Sequence, residues 1–119
     1  MTTDLGVMRS FARALGSRTR LRAIRELSRT TELDVSELSR RLNVSQPLMS
    51  WHLRRLRRAG LVRARREGRH VRYALDRVTL GNRQETLAGL IQTFLSQNHS
   101  THSESNRSTV KAPSTVAGG

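Results

Sequence analysis

Gln46, Ser50, Trp51, Arg54, Arg57 and Arg58 can hydrogen-bond base edges, stack on bases or sugars, or neutralise phosphates, and their spacing brings them together. With Ser45 as origin and about 100° per residue, they fall on one side of a helix. Leu48, Met49, Leu53, Leu56 and Ala59 fall in one sector opposite. A core-facing stripe thus backs a polar, basic face. Arg pairs with guanine and Gln with adenine in such a geometry. Trp51 can pack on thymine methyls or a sugar, or against a neighbouring helix at the edge of the core.

The elements that must hold this face are legible on either side of it. The hydroxyl of Ser45 suits an N-cap, Pro47 lies where a missing amide hydrogen costs nothing, and Gly60 suits the left-handed stop. Upstream, Val35, Leu38 and Leu42 mark a short helix with Ser36 available as its cap, and only Asn43-Val44 separates it from Ser45. Two short helices joined by a tight turn make a helix-turn-helix. Downstream, Leu61 to Arg65 and His70 to Leu75 flank Arg66-Glu67-Gly68-Arg69, a β-hairpin with Gly68 at its tip. A basic hairpin after such a helix is a wing, with Arg65, Arg66 and Arg69 placed for backbone or narrow minor-groove contact, or else solvated as part of the fold.

The chain begins with a helix carrying Leu5, Met8, Phe11, Ala12 and Leu15 and ending at Gly16. Ser17 caps a second, in which Leu21, Ile24 and Leu27 share a face among Arg18, Arg20, Arg22 and Arg25. Thr79 to Ser96 forms a last helix with Leu80, Leu87, Leu90, Ile91, Phe94 and Leu95 as its apolar residues. The expected architecture is mainly α with a small β-hairpin: about five helices plus a wing over residues 1–96. The stretch 97–119 turns to Ser, Thr, Asn, Ala and Gly and is expected to be a disordered tail.

Twenty-two Lys and Arg against nine Asp and Glu give a formal charge of +13, which holds a chain on polyanions at low salt whatever its fold. Hydrophobic residues are 35% of 119, so one copy has little to bury and is expected to pair with a second. Leu5, Met8, Phe11, Leu87, Leu90, Ile91 and Phe94 are the expected dimer surface. Zero cysteines exclude disulfides and thiolate metal sites. No apolar run approaches membrane-spanning length and residues 1–5 lack signal-peptide character, so a cytoplasmic location is expected. No nucleophile–base pairing, Gly-rich phosphate loop or metal motif is readable, and an enzyme is not expected. Double-stranded DNA is the partner to which this composition and the helix-turn-helix point. A non-specific nucleic-acid packaging protein, or a regulator answering to a protein co-regulator, are the other classes that fit.

Phe11 to Ile24, with Ala14-Leu15-Gly16-Ser17 and Thr19-Arg20, resembles the opening of the ArsR/SmtB family of bacterial winged-helix regulators. Ser45-Gln46, Ser50, His52-Leu53, Leu56 and Ala59-Gly60-Leu61-Val62 resemble that family's recognition segment, and Arg65 to Leu75 its wing. The likeness covers roughly residues 8 to 95. It implies a homodimer, paired through its first and last helices, that binds an imperfect palindrome in a promoter through Ser45, Gln46, Ser50, Trp51, Arg54 and Arg57 and the wing arginines, and that releases DNA on binding a signal, often a metal ion.

Thiolate-using members of the family carry Cys-Val-Cys where this chain has Asp34, Val35 and Ser36, which removes sensing of arsenite, cadmium or lead type. Members that sense through the last helix use an early Asp-x-His, where this chain has Arg77 and Thr79. If a metal is sensed, imidazole and carboxylate donors favour Ni²⁺, Zn²⁺ or Co²⁺. Asp34 is then the first carboxylate, His52 the nearest histidine by element order, and His99 and His102 the donors from the tail. His52 also projects into the apolar stripe, where a buried, hydrogen-bonded structural role is the alternative. His70 opens the second wing strand and suits phosphate contact or exposure.

Overall fold

The computed structural model describes residues 4–97, the last of them within a helix whose bounds are Arg77–Gly118. The expected tail beyond Gln97, with His99 and His102, lies outside the described residues. The elements run α1 (Asp4–Leu15), α2 (Arg18–Ser28), β1 (Leu33–Asp34), α3 (Val35–Leu42), α4 (Gln46–Arg58), β2 (Val62–Glu67), β3 (His70–Leu75) and α5 (Arg77–Gly118). Two compact units divide the chain, Met1–Thr86 and Leu87–Gly119. Among the described residues no helix is long and apolar enough to cross a membrane.

Local chemistry sets most boundaries. Ser17 caps α2, its hydroxyl accepting from the Arg20 amide at 3.2 Å. Asp34, not Ser36, caps α3: its carboxylate accepts from the Glu37 amide at 2.8 Å while Glu37 accepts in return from the Asp34 amide at 3.2 Å. This reciprocal box satisfies two otherwise unpaired donors, and Ser36 lies already inside the first turn. Asn43 ends α3 in the left-handed region (φ 58°), a conformation its short polar side chain tolerates. Ser45 caps α4 and Pro47 lies in its first turn. The last helix starts at Arg77 rather than Thr79, because Asp76 accepts from the Thr79 amide at 3.0 Å.

The sheet is antiparallel with order β1-β3-β2. Its hairpin matches the expectation but closes more tightly: Glu67 pairs with His70, leaving a two-residue loop. Gly68 takes φ 61° at the first loop position, as a II′ turn requires of that residue. The third strand was not expected. Leu33 and Asp34 pair with Tyr73 and Arg72, an element two residues long that carries no alternation to read.

In the first unit Leu27, Leu38, Met49, Leu53, Leu56 and Leu61 are fully buried, with Leu33, Leu42, Tyr73 and Leu75 around them. Two residues assigned to inward faces turn outward. Leu21 is 50% exposed and Leu48 is 47% exposed. The buried side of α2 is instead Arg20, Ala23 and Leu27, at i, i+3 and i+7. On α4 the core takes Met49, His52, Leu53 and Leu56, and Leu48 lies just outside that arc.

Candidate nucleic-acid interface

Helix α4 divides into three faces. The core takes Met49, His52, Leu53 and Leu56. A second row, Gln46, Ser50, Arg54 and Arg57, follows i, i+4, i+8 and i+11, and all but the half-buried Ser50 are exposed. The third face carries Trp51, Arg55 and Arg58.

The second row is held in place by its own hydrogen bonds. Gln46 donates to the Ser36 hydroxyl at 3.1 Å, tying the start of α4 to α3, and Arg54 donates to the Ser50 hydroxyl at 2.8 Å. Among the described residues no carboxylate lies within ion-pair distance of Arg54 or Arg57. A groove of about 480 Å³ runs from this row to the wing, lined by Asp34, Ser36, Gln46, Ser50, Arg69 and His70 among others. The row can therefore meet hydrogen-bonding edges in a groove without first breaking a salt bridge.

Trp51 belongs to the third face. It is 41% exposed, with the Arg55 guanidinium 4.5 Å above its ring centroid and the His52 ring edge-on at 5.0 Å. Its near contacts come from its own helix, and Arg20 of α2 lies 6.0 Å from its ring centroid.

The wing arginines divide into two kinds. Arg65 donates to both carboxylate oxygens of Glu32, at 3.0 and 2.7 Å, and its Nη1 also lies 3.6 Å from Glu67. These contacts push its guanidinium pKa up and draw that of Glu32 down. Arg65 faces Arg72 across the strands, and Glu67, bonded to Arg72 at 2.6 Å, relieves the like-charge pairing. Arg66 and Arg69 are exposed and, among the described residues, meet no carboxylate.

The residue that sequence reading missed is Arg20. It is only 8% exposed, and its guanidinium donates to the Ala14 carbonyl at 2.6 Å, the Arg13 carbonyl at 3.2 Å and the His52 Nδ1 at 2.9 Å. A guanidinium can only donate, so Nδ1 of His52 accepts and is unprotonated. Burial first, and then Arg20 and Arg55, hold the His52 pKa below its ordinary value. The signal was present: Arg20 shares the inward spacing of Ala23 and Leu27.

Of the donors suggested for a metal, the two within the described residues are engaged separately. Asp34 caps α3 and lies 3.6 Å from His70, while His52 is engaged by Arg20. Among the described residues no group of three His, Asp or Glu side chains could hold a metal ion. The described donors, Asp34 and His52, do not by themselves form a metal site.

The residues expected to pair two copies lie on both units. In the first, Leu5 is exposed, Phe11 is half-buried, and Met8 is buried rather than presented, lying on the α1 face it shares with Phe11 and Leu15. In the second, Leu87, Ile91 and Phe94 are exposed and Leu90 is half-buried.

A tri-helical core, a helix-turn-helix in α3 and α4 and a hairpin after it define a winged helix-turn-helix domain. Residues 17–64 match the family described as "Bacterial regulatory protein, arsR family". The arsenic resistance transcriptional regulator ArsR1 of Pseudomonas putida is 43% identical over 63 residues, 53% of this chain and 49% of that protein. The solved structure of HlyU from Vibrio cholerae is 39% identical, covers 63% of this chain and 80% of its own, and superposes with a TM-score of 0.58. A solution structure of the homodimeric winged helix-turn-helix DNA-binding domain of Mb0332 from Mycobacterium bovis, a possible ArsR-family transcriptional regulator, is 25% identical. It covers 82% of this chain and 85% of its own, with a TM-score of 0.60. The chain belongs to the ArsR family, whose members are regulators and not enzymes. It spans about half the length of the curated relatives it matches.

Proposed function

We propose that the protein is a DNA-binding transcriptional regulator that docks as a homodimer on a palindromic promoter site. Helix α4 enters the major groove, Gln46 and Arg54 meet base edges, Ser45, Ser50 and Arg57 meet bases or the adjoining backbone, and Arg66 and Arg69 reach phosphates beside the groove. The observation that carries the reading is the row Gln46, Ser50, Arg54 and Arg57: outward-facing, pre-bonded, and without a carboxylate partner among the described residues. A protomer with that row buried could not read DNA through it.

Homodimer formation rests on the exposed apolar side chains Leu87, Ile91 and Phe94 and on the homodimeric state stated for Mb0332. The test is a band-shift series comparing the DNA flanking the protein's own gene with random duplex across a range of salt. A dimer neutralising on the order of 6 to 10 phosphates gives a log-log salt slope of roughly −5 to −9, with preference for the flanking DNA. Equal affinity for both duplexes at physiological salt would identify a packaging protein instead.

A further inference from the structure

The third face of α4 closes a cavity that the DNA-reading row does not use. Its volume is about 170 Å³, and Ser10, Arg13, Arg20, Arg55 and Arg58 line it, from α1, α2 and α4 of the same compact unit. Four guanidinium groups thus converge on one space, and among the described residues none of them has a carboxylate within ion-pair distance. Six acidic residues of this unit are engaged elsewhere: Glu26 with Arg29 and Arg41, Glu32 with Arg65, Glu67 with Arg65 and Arg72, and Asp34, Glu37 and Asp76 at helix starts.

Arg20 makes this arrangement unusual. A buried charge is normally compensated by an opposite one. Here the compensation is two backbone carbonyls and a neutral imidazole, and the neighbouring charge is another cation, Arg55. Arg13 and Arg58 then add exposed cations at the rim. Positive charge of this density, with planar forks and the Ser10 hydroxyl, matches an oxyanion that accepts several charge-assisted hydrogen bonds.

We propose that this cavity is a binding site for a phosphate-type oxyanion, either a small phosphorylated or inorganic anion or a phosphate of bound nucleic acid. Arg55 both lines the cavity and stacks on Trp51, so an occupant that draws Arg55 inward changes the surroundings of a residue on α4. The site is thereby coupled to the helix that carries the reading row, but its existence does not depend on DNA binding.

Trp51 is the single tryptophan of the chain and stacks against Arg55, so its emission reports on the surroundings of α4 beside this site. The full chain, free of DNA, is titrated with inorganic phosphate at constant ionic strength made up with chloride. A saturable change in emission is expected, with the midpoint raised about ten-fold or more in Arg13→Gln and Arg58→Gln, whose side chains lie at the rim and leave the core untouched. A linear change equal to that given by chloride would overturn the proposal, as would a saturable change indifferent to both substitutions.

A second arm separates the two sources of the anion. If the occupant is a nucleic-acid phosphate, random duplex displaces inorganic phosphate and Arg58→Gln lowers the salt slope by about one. If it is a free anion, phosphate and duplex bind together and Arg58→Gln leaves the slope unchanged. Either result supports the site. Failure of specific DNA recognition with an intact Trp51 response would sink the proposed function and leave the anion site standing.

Discussion

The outward row of α4 and the base of the wing carry the same residue type in opposite electrostatic states. On α4, Arg54 leans on a neutral hydroxyl and Arg57 has no carboxylate beside it among the described residues. At the wing base, Arg65 is forked onto Glu32 and Arg72 is bonded to Glu67. The difference is that a count of arginines overstates the surface available to a polyanion. Arg65 and Arg72 at the wing base are engaged in fixing the hairpin, whereas Arg66 and Arg69 near its tip meet no carboxylate among the described residues.

Arg54→Ala gives the largest expected effect on binding. Loss of a bidentate base contact weakens the preferred site by about 1 to 3 kcal/mol while random duplex is affected less. Arg69→Ala, by contrast, is expected to lower affinity for all sequences evenly. Band shifts in which Arg54→Ala leaves site preference untouched would break the contrast from the α4 side.

Glu32→Gln sharpens it from the wing side. Releasing Arg65 from its bidentate partner frees a cation, so binding to any duplex should tighten and the salt slope should steepen by up to about one. Arg65→Ala alone should alter affinity by less than about three-fold, because that cation is already neutralised. An Arg65→Ala loss as large as that of Arg54→Ala would show that the Glu32 pairing gives way on the DNA.

A smaller effect follows from His52. Its folded pKa lies below the ordinary value of about 6.5, so below that pH the unfolded chain takes up the proton first and stability is lost as pH falls. Above pH 7 this contribution is fully present. Thermal unfolding should therefore show a decline from pH 7 towards pH 5 that is reduced in His52→Gln, which retains an acceptor for Arg20. Equal declines in both proteins would remove His52 as the cause. Smallest of all, Ni²⁺, Zn²⁺ or Co²⁺ should leave the band shift unchanged, since the described donors do not converge. Release from DNA at stoichiometric metal would show that residues beyond 97 complete a site.

Helix α4 and the wing were legible because their boundaries carry local chemical marks, Ser45 as a cap and Gly60 and Gly68 at positive φ, whereas two nearby cap-forming residues, Asp34 and Ser36, made the start of α3 ambiguous. The β1 strand was not, since two residues are too few to alternate and its pairing with Tyr73 and Arg72 is long-range. Periodicity marks the α4 stripe but makes it too wide at Leu48, which is exposed. Arg20 was hidden by its neighbours. In a helix studded with arginines a single inward one looks solvated, and only its Ala23 and Leu27 spacing tells otherwise.

Footprinting on the DNA flanking the gene, with the wild-type chain beside Arg54→Ala, tests the central claim most directly. A dimer reading through α4 should protect two symmetric half-sites about 10 to 10.5 base pairs apart, or a multiple of that, and the pattern should fade in the variant. Uniform protection without symmetry, or a symmetric footprint that Arg54→Ala leaves intact, would contradict it.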